Sequence, residues 1–408
     1  MFGIPDAIRD LLGIDAGNIT VYIITVVVVA SVGLLTPLLS IWLERKVSAR
    51  FQDRIGPNRT GPYGLLQAPA DAVKLLTKEQ IMPIGADKFV FMFAPILMVI
   101  SVIMIMAVIP INEQHIGTDL SIAMLYIVSI GSLSTIAILM GGWASNNKYA
   151  LLGAFRVIAQ MISYEVPMVL ALLVPILLAG TMSSQGIIEA QSGIWFFFLI
   201  PVSALIFFIS STAEVGRQPF DLLEAESEIV AGYNIEYSGM PFAMFYLGEW
   251  LHAVLICVLT AMIFFGGWRG PGVESLTIFD FQILGPFYLI LKTALLYFIH
   301  MWVRFTVPRL RIDHLMSFNW KFLVPLSVVN LLVMAFIWRI IPAPSESGFV
   351  AELPRAVAMF GANLLLGLAV LTWARRYTGK ERAKVEALVD ETDYTPTTRR
   401  LPQTAAGD

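Results

Sequence analysis

PFAMFYLGEWLHAVLICVLTAMIFFGG, residues 241–267, decides the fold. It contains one acid, Glu249, and one histidine, His252, in an otherwise apolar run. A bilayer core is crossed by ~20 predominantly apolar residues in a helix, and this stretch exceeds that. Eight more runs of the same kind flank it, at roughly 19–43, 88–109, 119–142, 157–180, 194–213, 281–303, 322–341 and 355–374. The chain of 408 residues is 57% hydrophobic and 14% charged, with a mean hydropathy of +0.75. Soluble domains carry ~25% charged residues. The sequence therefore predicts an all-α polytopic membrane protein with about nine transmembrane helices.

Basic residues predict the orientation. Segments 44–88, 143–163, 214–240, 304–321 and 375–408 hold 22 Lys and Arg, against 4 in the alternate segments and adjoining span ends. That places the N-terminus outside and the C-terminus in the cytoplasm. Eight of the nine tryptophans fall near predicted span ends, where indoles prefer the interface, and Trp250 lies deeper. The start, MFGIPDAIRD, lacks a basic region before an apolar core, so no cleaved signal peptide is expected. The single cysteine, Cys257, excludes a disulfide framework and any cluster held by cysteines of this chain alone. P-loop, dinucleotide GxGxxG, HExxH and CxxC motifs are missing, and no metal site is expected.

The first cytoplasmic loop begins with bases, Arg45, Lys46, Arg50, Arg54 and Arg59, and turns at GPNRTGP. From Tyr63 to Glu79 apolar residues recur at helical spacing opposite Asp71, Lys74 and Lys78. This predicts an amphipathic helix on the membrane surface. The loop either sets topology alone or forms a rim guiding a lipid-soluble ligand inward.

Ionisable residues inside spans are costly and face a partner or a wet cavity. Glu165 and Glu249 are such residues, and Lys292 sits near the centre of the seventh predicted span. The carboxylates form either a structural pair with Lys292 or part of a proton or ion route. Histidines 252 and 300 are expected to be packed and hydrogen-bonded. A second acidic group lies in AEVGRQPFDLLEAESEIVAGYNIEY, residues 213–237, which has Glu214, Asp221, Glu224, Glu226, Glu228 and Glu236 against one base, Arg217. Phe220, Leu222, Leu223, Ile229, Val230 and Tyr233 call for burial of this loop. Buried together, its carboxylates repel, lose hydration and favour shared protons. Bases from elsewhere, such as Arg45, Arg54, Arg304, Arg309 or Arg311, are expected beside them.

Four ordered blocks carry a family resemblance. ERKVSARFQDRIGPNRTGPYGLLQAPADAVKLLTKE, GGWASNNKYALLGAFRVIAQMISYEVP, AEVGRQPFDLLEAESEIVAGYNIEYSGMPFAMFYLGEW and WVRFTVPRLRIDHLMSFNWKFLVP resemble the H-subunit family of proton-pumping NADH:quinone oxidoreductase, respiratory complex I. The mitochondrial member is NADH dehydrogenase subunit 1. The resemblance spans 19–341 and implies a subunit that docks the peripheral arm, forms a quinone tunnel and starts a line of charges into the membrane arm. By resemblance, Glu165, Glu214, Asp221, Glu224, Glu226, Glu228 and Glu249 match an acidic funnel for proton coupling, which Lys292 extends. Arg45, Arg54, Asp71, Arg217 and Arg304 match charged positions near the quinone path, lined by Phe242, Phe245 and Tyr246. Gly216, Gln218, Ala49 and Trp250 depart from the usual family residues.

The resemblance further implies ubiquinone or menaquinone as substrate. FMN and iron–sulfur clusters are expected only in partners: the peripheral quinone-site subunits, the terminal iron–sulfur subunit, and small and antiporter-like membrane-arm subunits. Lipid is a partner and nucleic acid is not. Residues 1–18 are expected as an external segment, 19–341 as the family domain, 342–375 as an additional span and 376–408 as a polar tail. The extension suggests a bacterial inner-membrane chain. The related subunit of a membrane-bound hydrogenase complex, or a stand-alone cation transporter, are the alternatives.

Overall fold

The computed structural model describes residues 14–113, 116–222, 232–270, 277–278, 281–282, 284–341 and 349–391. The long helices are α1 (Ile14–Phe51), α3 (Lys88–Met106), α4 (Ala123–Ala144), α5 (Lys148–Ala179), α9 (Gly239–Phe264), α10 (Leu284–Thr306) and α13 (Phe349–Glu391). Short helices are α2 (Gln67–Thr77), α6 (Ser184–Glu189), α7 (Phe196–Leu199), α8 (Pro201–Glu214) and α11 (Ile312–Phe318). The last runs through a π-turn at Asn319–Leu323 into α12, Val324–Ile340. Thr277–Ile278 (β1) pairs antiparallel with Phe281–Gln282 (β2). Among the described residues, eight helical stretches are long and apolar enough to cross a membrane.

The remaining crossing, the fifth, is broken. The sequence predicts one helix over 194–213, but Ile200 leaves helical geometry at φ −133° and ψ 58°. Pro201 opens α8, since its ring fixes φ and it has no N–H to donate. With 14 residues, α8 spans only about 21 Å.

Other helices outrun their predicted ends. α1 continues beyond residue 43 to Phe51, so Arg45, Lys46 and Arg50 stand on a helix. The Asn147 side chain accepts from the Tyr149 amide at 3.0 Å and starts α5 nine residues before the predicted span. α13 has 43 residues, so the expected polar tail is helical as far as Glu391. Hydropathy marks where apolar composition ends, whereas helices end where a cap or breaker occurs.

The amphipathic helix is present but shorter than expected, 11 residues as α2. Gly64 turns the chain into it at φ +78°, where an added Cβ would lie 2.4 Å from the Pro57 carbonyl oxygen. Trp42 donates to the Tyr63 carbonyl at 3.1 Å and Arg45 pairs with Asp71 at 2.6 Å, fixing α2 against α1.

The core surrounds α9 and the α5–α8 pair. Tyr164, Phe207, Phe220, Ile187 and Leu315 belong to its largest buried cluster. In a second cluster, Tyr237 stacks on Phe91 with centroids 4.0 Å apart and Phe245 packs edge-on against it. Gly153 lets α5 touch backbone: a Cβ there would come within 2.7 Å of the Gly232 carbonyl carbon.

Candidate functional site

A buried charged cluster centres on Glu44, in the last turns of α1. Its side chain is 5% exposed. Arg217 Nη1 donates to both carboxylate oxygens, at 2.8 and 3.1 Å. Arg304 Nη1, from α10, pairs with Oε1. The Tyr297 hydroxyl donates to Oε2 at 3.0 Å. Behind this group, the Arg217 guanidinium lies 4.2 Å from the Trp250 ring centroid, and His300 stacks beside Tyr297 at 6.5 Å. Three parts of the chain thus converge on one carboxylate. Two cations and one anion leave the cluster net positive. Arg217 and Arg304 were expected near a ligand path, but Glu44 was not singled out. Its signal was an acid at the very end of an apolar run, hidden by the basic residues that follow.

Three of the five bases expected beside the acidic loop have partners elsewhere. Arg304 is committed to Glu44, Arg45 to Asp71, and Arg54 Nε donates to Gln52 Oε1 at 2.7 Å. Asp221 is partly buried at the start of the loop. Glu224, Glu226 and Glu228 lie outside the described residues. Glu236 accepts from Asn147 Nδ2 at 2.7 Å and so ties the loop to the start of α5. Gln160 Nε2 donates to the carbonyls of Ala213 (2.6 Å) and Phe220 (2.7 Å), clasping the loop's first residues.

Two carboxylates meet inside the membrane at α4. Ser132 donates to Glu165 Oε1 at 2.7 Å. A Cβ built on the adjacent Gly131 would stand 3.5 Å from Glu214 Oε1. Glu165 and Glu214, from α5 and α8, are thus brought close enough for their charges to repel. Glu249, on α9, is 9% exposed and lies 3.5 Å from the Tyr233 hydroxyl. His252 is also buried. The loop's Tyr237 donates to the Phe91 carbonyl at 3.1 Å, and burial raises its pKa, keeping it a neutral donor.

Lys292 goes elsewhere. Its ammonium donates to the carbonyls of Phe265 (2.6 Å), Gly267 (3.0 Å) and Arg269, and lies 4.5 Å from the Trp195 ring centroid. These carbonyls end α9, where the helix dipole favours a cation. Phe265 is sixteen residues from Glu249, about 24 Å along the helix. A structural pair between Lys292 and Glu249 is therefore excluded, and the lysine instead caps the opposite end of α9. Lys292→Met is expected to lower the heat stability of the purified assembly, since charge-assisted hydrogen bonds contribute ~1.5–3 kcal/mol each. Unchanged melting alongside altered proton movement would return the lysine to the proton route.

An apolar cavity of about 410 Å³ runs between α1, α9 and α10. Val32, Leu39, Leu251, Val258 and Leu289 wall it, and Tyr297 stands at the charged end. Phe242 and Tyr246, on the first turns of α9, are partly exposed with ring centroids 4.8 Å apart. Phe245 is fully buried, edge-on to Tyr233 and Tyr237. It belongs to the core of the loop's base and not to an open wall.

Buried acids, a guanidinium-clamped carboxylate and an apolar cavity beside it thus sit within a polytopic helical membrane protein. Residues 23–335 match the family described as NADH dehydrogenase. The NADH-quinone oxidoreductase H subunit of Dehalococcoides mccartyi strain CBDB1 is 46% identical over 329 residues, covering 80% of this chain and 89% of that protein. The protein of the same name in Vesicomyosocius okutanii is 42% identical over 335 residues, covering 80% and 94%. That of Geobacillus sp. strain WCH70 is 44% identical over 295 residues, covering 72% and 87%. The chain belongs to the NADH dehydrogenase family, among the H subunits of NADH-quinone oxidoreductase, and is a membrane subunit of complex I.

Proposed function

We propose that this subunit forms the quinone path of a bacterial NADH:quinone oxidoreductase, docks the peripheral arm, and couples quinone reduction to proton translocation. The observation that carries this reading is the junction at Tyr297. Its ring lines the apolar cavity, and its hydroxyl is bonded to the Glu44 clamp. An isoprenoid tail requires an apolar groove reached from the membrane. The head group requires a polar end where its changing charge is felt. The cavity and the clamp supply the two ends in sequence.

Electrons arrive from an iron–sulfur cluster in a partner, and FMN also belongs to partners. Reduction or movement of the quinone changes the charge beside Arg217 and Arg304. Those cations act on Glu44 and, through the loop that Arg217 opens, on Glu214 and Glu165. The acids answer by exchanging protons, which pass through Glu249 toward antiporter-like partners. The face with the basic loops is cytoplasmic, and the peripheral arm sits on it around α2 and the 215–238 loop. The protein resides in the inner membrane with its N-terminus outside.

The test uses the purified complex and a long-tailed quinone carrying a photoreactive group on its tail. Cross-links in α1 between residues 28 and 43, or in α10 between 286 and 297, that excess quinone suppresses are the expected result. Labelling confined to other subunits would remove the cavity from the quinone path.

A further inference from the structure

Several membrane-buried polar side chains outside the site above lie along one seam that reaches Glu214 and Gln160. α8 presents Ser203, Ser210 and Glu214 within about 40° of one another on its surface, all buried. Asn330 of α12 donates to Ser203 Oγ at 2.6 Å. Asn363 of α13 donates to the Leu199 carbonyl at 3.2 Å, at the break between α7 and α8, and to Met334 Sδ at 3.1 Å. Asn319 donates to the Ser163 carbonyl at 2.6 Å, two residues before Glu165. Asn319, Ser327, Asn330 and Met334 share the buried stripe of the α11–α12 segment.

Amide donors bridging helices are ordinary membrane glue. The oxygens are not explained by it. Among the described residues, the Oδ1 atoms of Asn319, Asn330 and Asn363, Gln160 Oε1 and Ser210 Oγ are buried and make no hydrogen bond. Each of these Asn side chains is fully buried. An unsatisfied acceptor in hydrocarbon is costly, and a polar site of this kind takes water.

We propose that the seam between α8, α12 and α13 holds ordered water and conducts protons between Glu214 and the membrane face opposite the basic loops. The inference rests on the proton role proposed for Glu214. A proton released by Glu214 passes to water at Ser210, and each later water accepts one proton and gives up another, so nothing is oxidised or reduced. Asn330 and Asn363 orient the waters through their free oxygens, and the route leaves beside Leu199. Phe207, one turn from both serines along α8, is buried and tilted on Phe264 at 5.5 Å. α13 lies outside the family-matched residues 23–335, yet it supplies Asn363 and completes the seam.

Radiolytic labelling of the intact wild-type complex in ¹⁸O-water tests the hydration. Met334 and Met359 border Asn363 and are 0% and 1% exposed, so only internal water delivers label to them. Oxidation of both is the expected result. Absence of label on them, with exposed Met82 labelled, overturns the proposal. For conduction, the complex carrying Asn330→Leu with Ser203→Ala is reconstituted in liposomes. Protons moved per NADH are expected to fall, while the uncoupled NADH:quinone rate is retained. An unchanged ratio overturns the conducting role, and should the double variant not assemble, Ser203→Ala alone is measured in the same way with the same two outcomes. Failure of the quinone reading shows in the photolabelling and leaves the methionine result untouched.

Discussion

Glu44→Ala is expected to abolish most quinone-dependent turnover and to reduce the amount of assembled complex. The substitution leaves Arg217 and Arg304 facing each other without their shared anion, and leaves the Tyr297 hydroxyl without its acceptor. Breaking a buried ion pair by removing one partner costs ~3–5 kcal/mol, because the other charge stays buried. Here two cations are left. If only ~1.4 kcal/mol of that falls on the reacting state, turnover drops about tenfold. Glu44→Gln keeps the shape and one acceptor oxygen but loses the charge, so its defect should be intermediate in assembly and nearly as severe in turnover. NADH:quinone activity, divided by NADH:ferricyanide activity of the same preparation, separates loss of the quinone end from loss of the whole enzyme. A ratio within about twofold of wild type for Glu44→Ala would show that the clamp neither shapes the path nor senses the quinone.

Glu214→Gln carries the second large effect, and it should be a different one. Glu214 shares its surroundings with Glu165. Glutamine relieves their repulsion and keeps the volume, so assembly and heat stability should be unchanged or improved. Proton exchange at that position ends, however. Positioned proton transfer contributes roughly 10²–10⁴-fold in enzymes. Quinone-coupled turnover is therefore expected to fall at least tenfold, with ferricyanide reduction intact. Glu214→Asp keeps an ionisable group and should recover part of the loss. Normal turnover and normal pumping in Glu214→Gln would remove this carboxylate from the proton route. The contrast between the two variants separates a residue that holds the path together from one that exchanges a proton.

The membrane spans were legible because hydropathy reads them locally. So was the surface helix α2, because its period is written in adjacent residues. The break in the fifth crossing was half written: Pro201 is plain in the sequence, but apolar residues on both sides made the segment read as one span. The partners of Lys292 were not legible for a related reason. Its position in a span gives its depth but not the direction of its long side chain, which reaches carbonyls on a neighbouring helix end. Glu44 was missed because its partners are 173 and 253 residues away, in Arg217 and Tyr297.

By itself the sequence determined that this is a polytopic helical membrane protein, which family its blocks resemble, and which acids are dearest to bury. Composition and spacing suffice for these, since each is a property of a segment against its solvent. Only the tertiary structure decided which charge meets which: Glu44 with two arginines, Glu165 with Glu214, Lys292 with the end of α9. Coulomb and hydrogen-bond energies depend on distance and angle in space, and helix packing sets both.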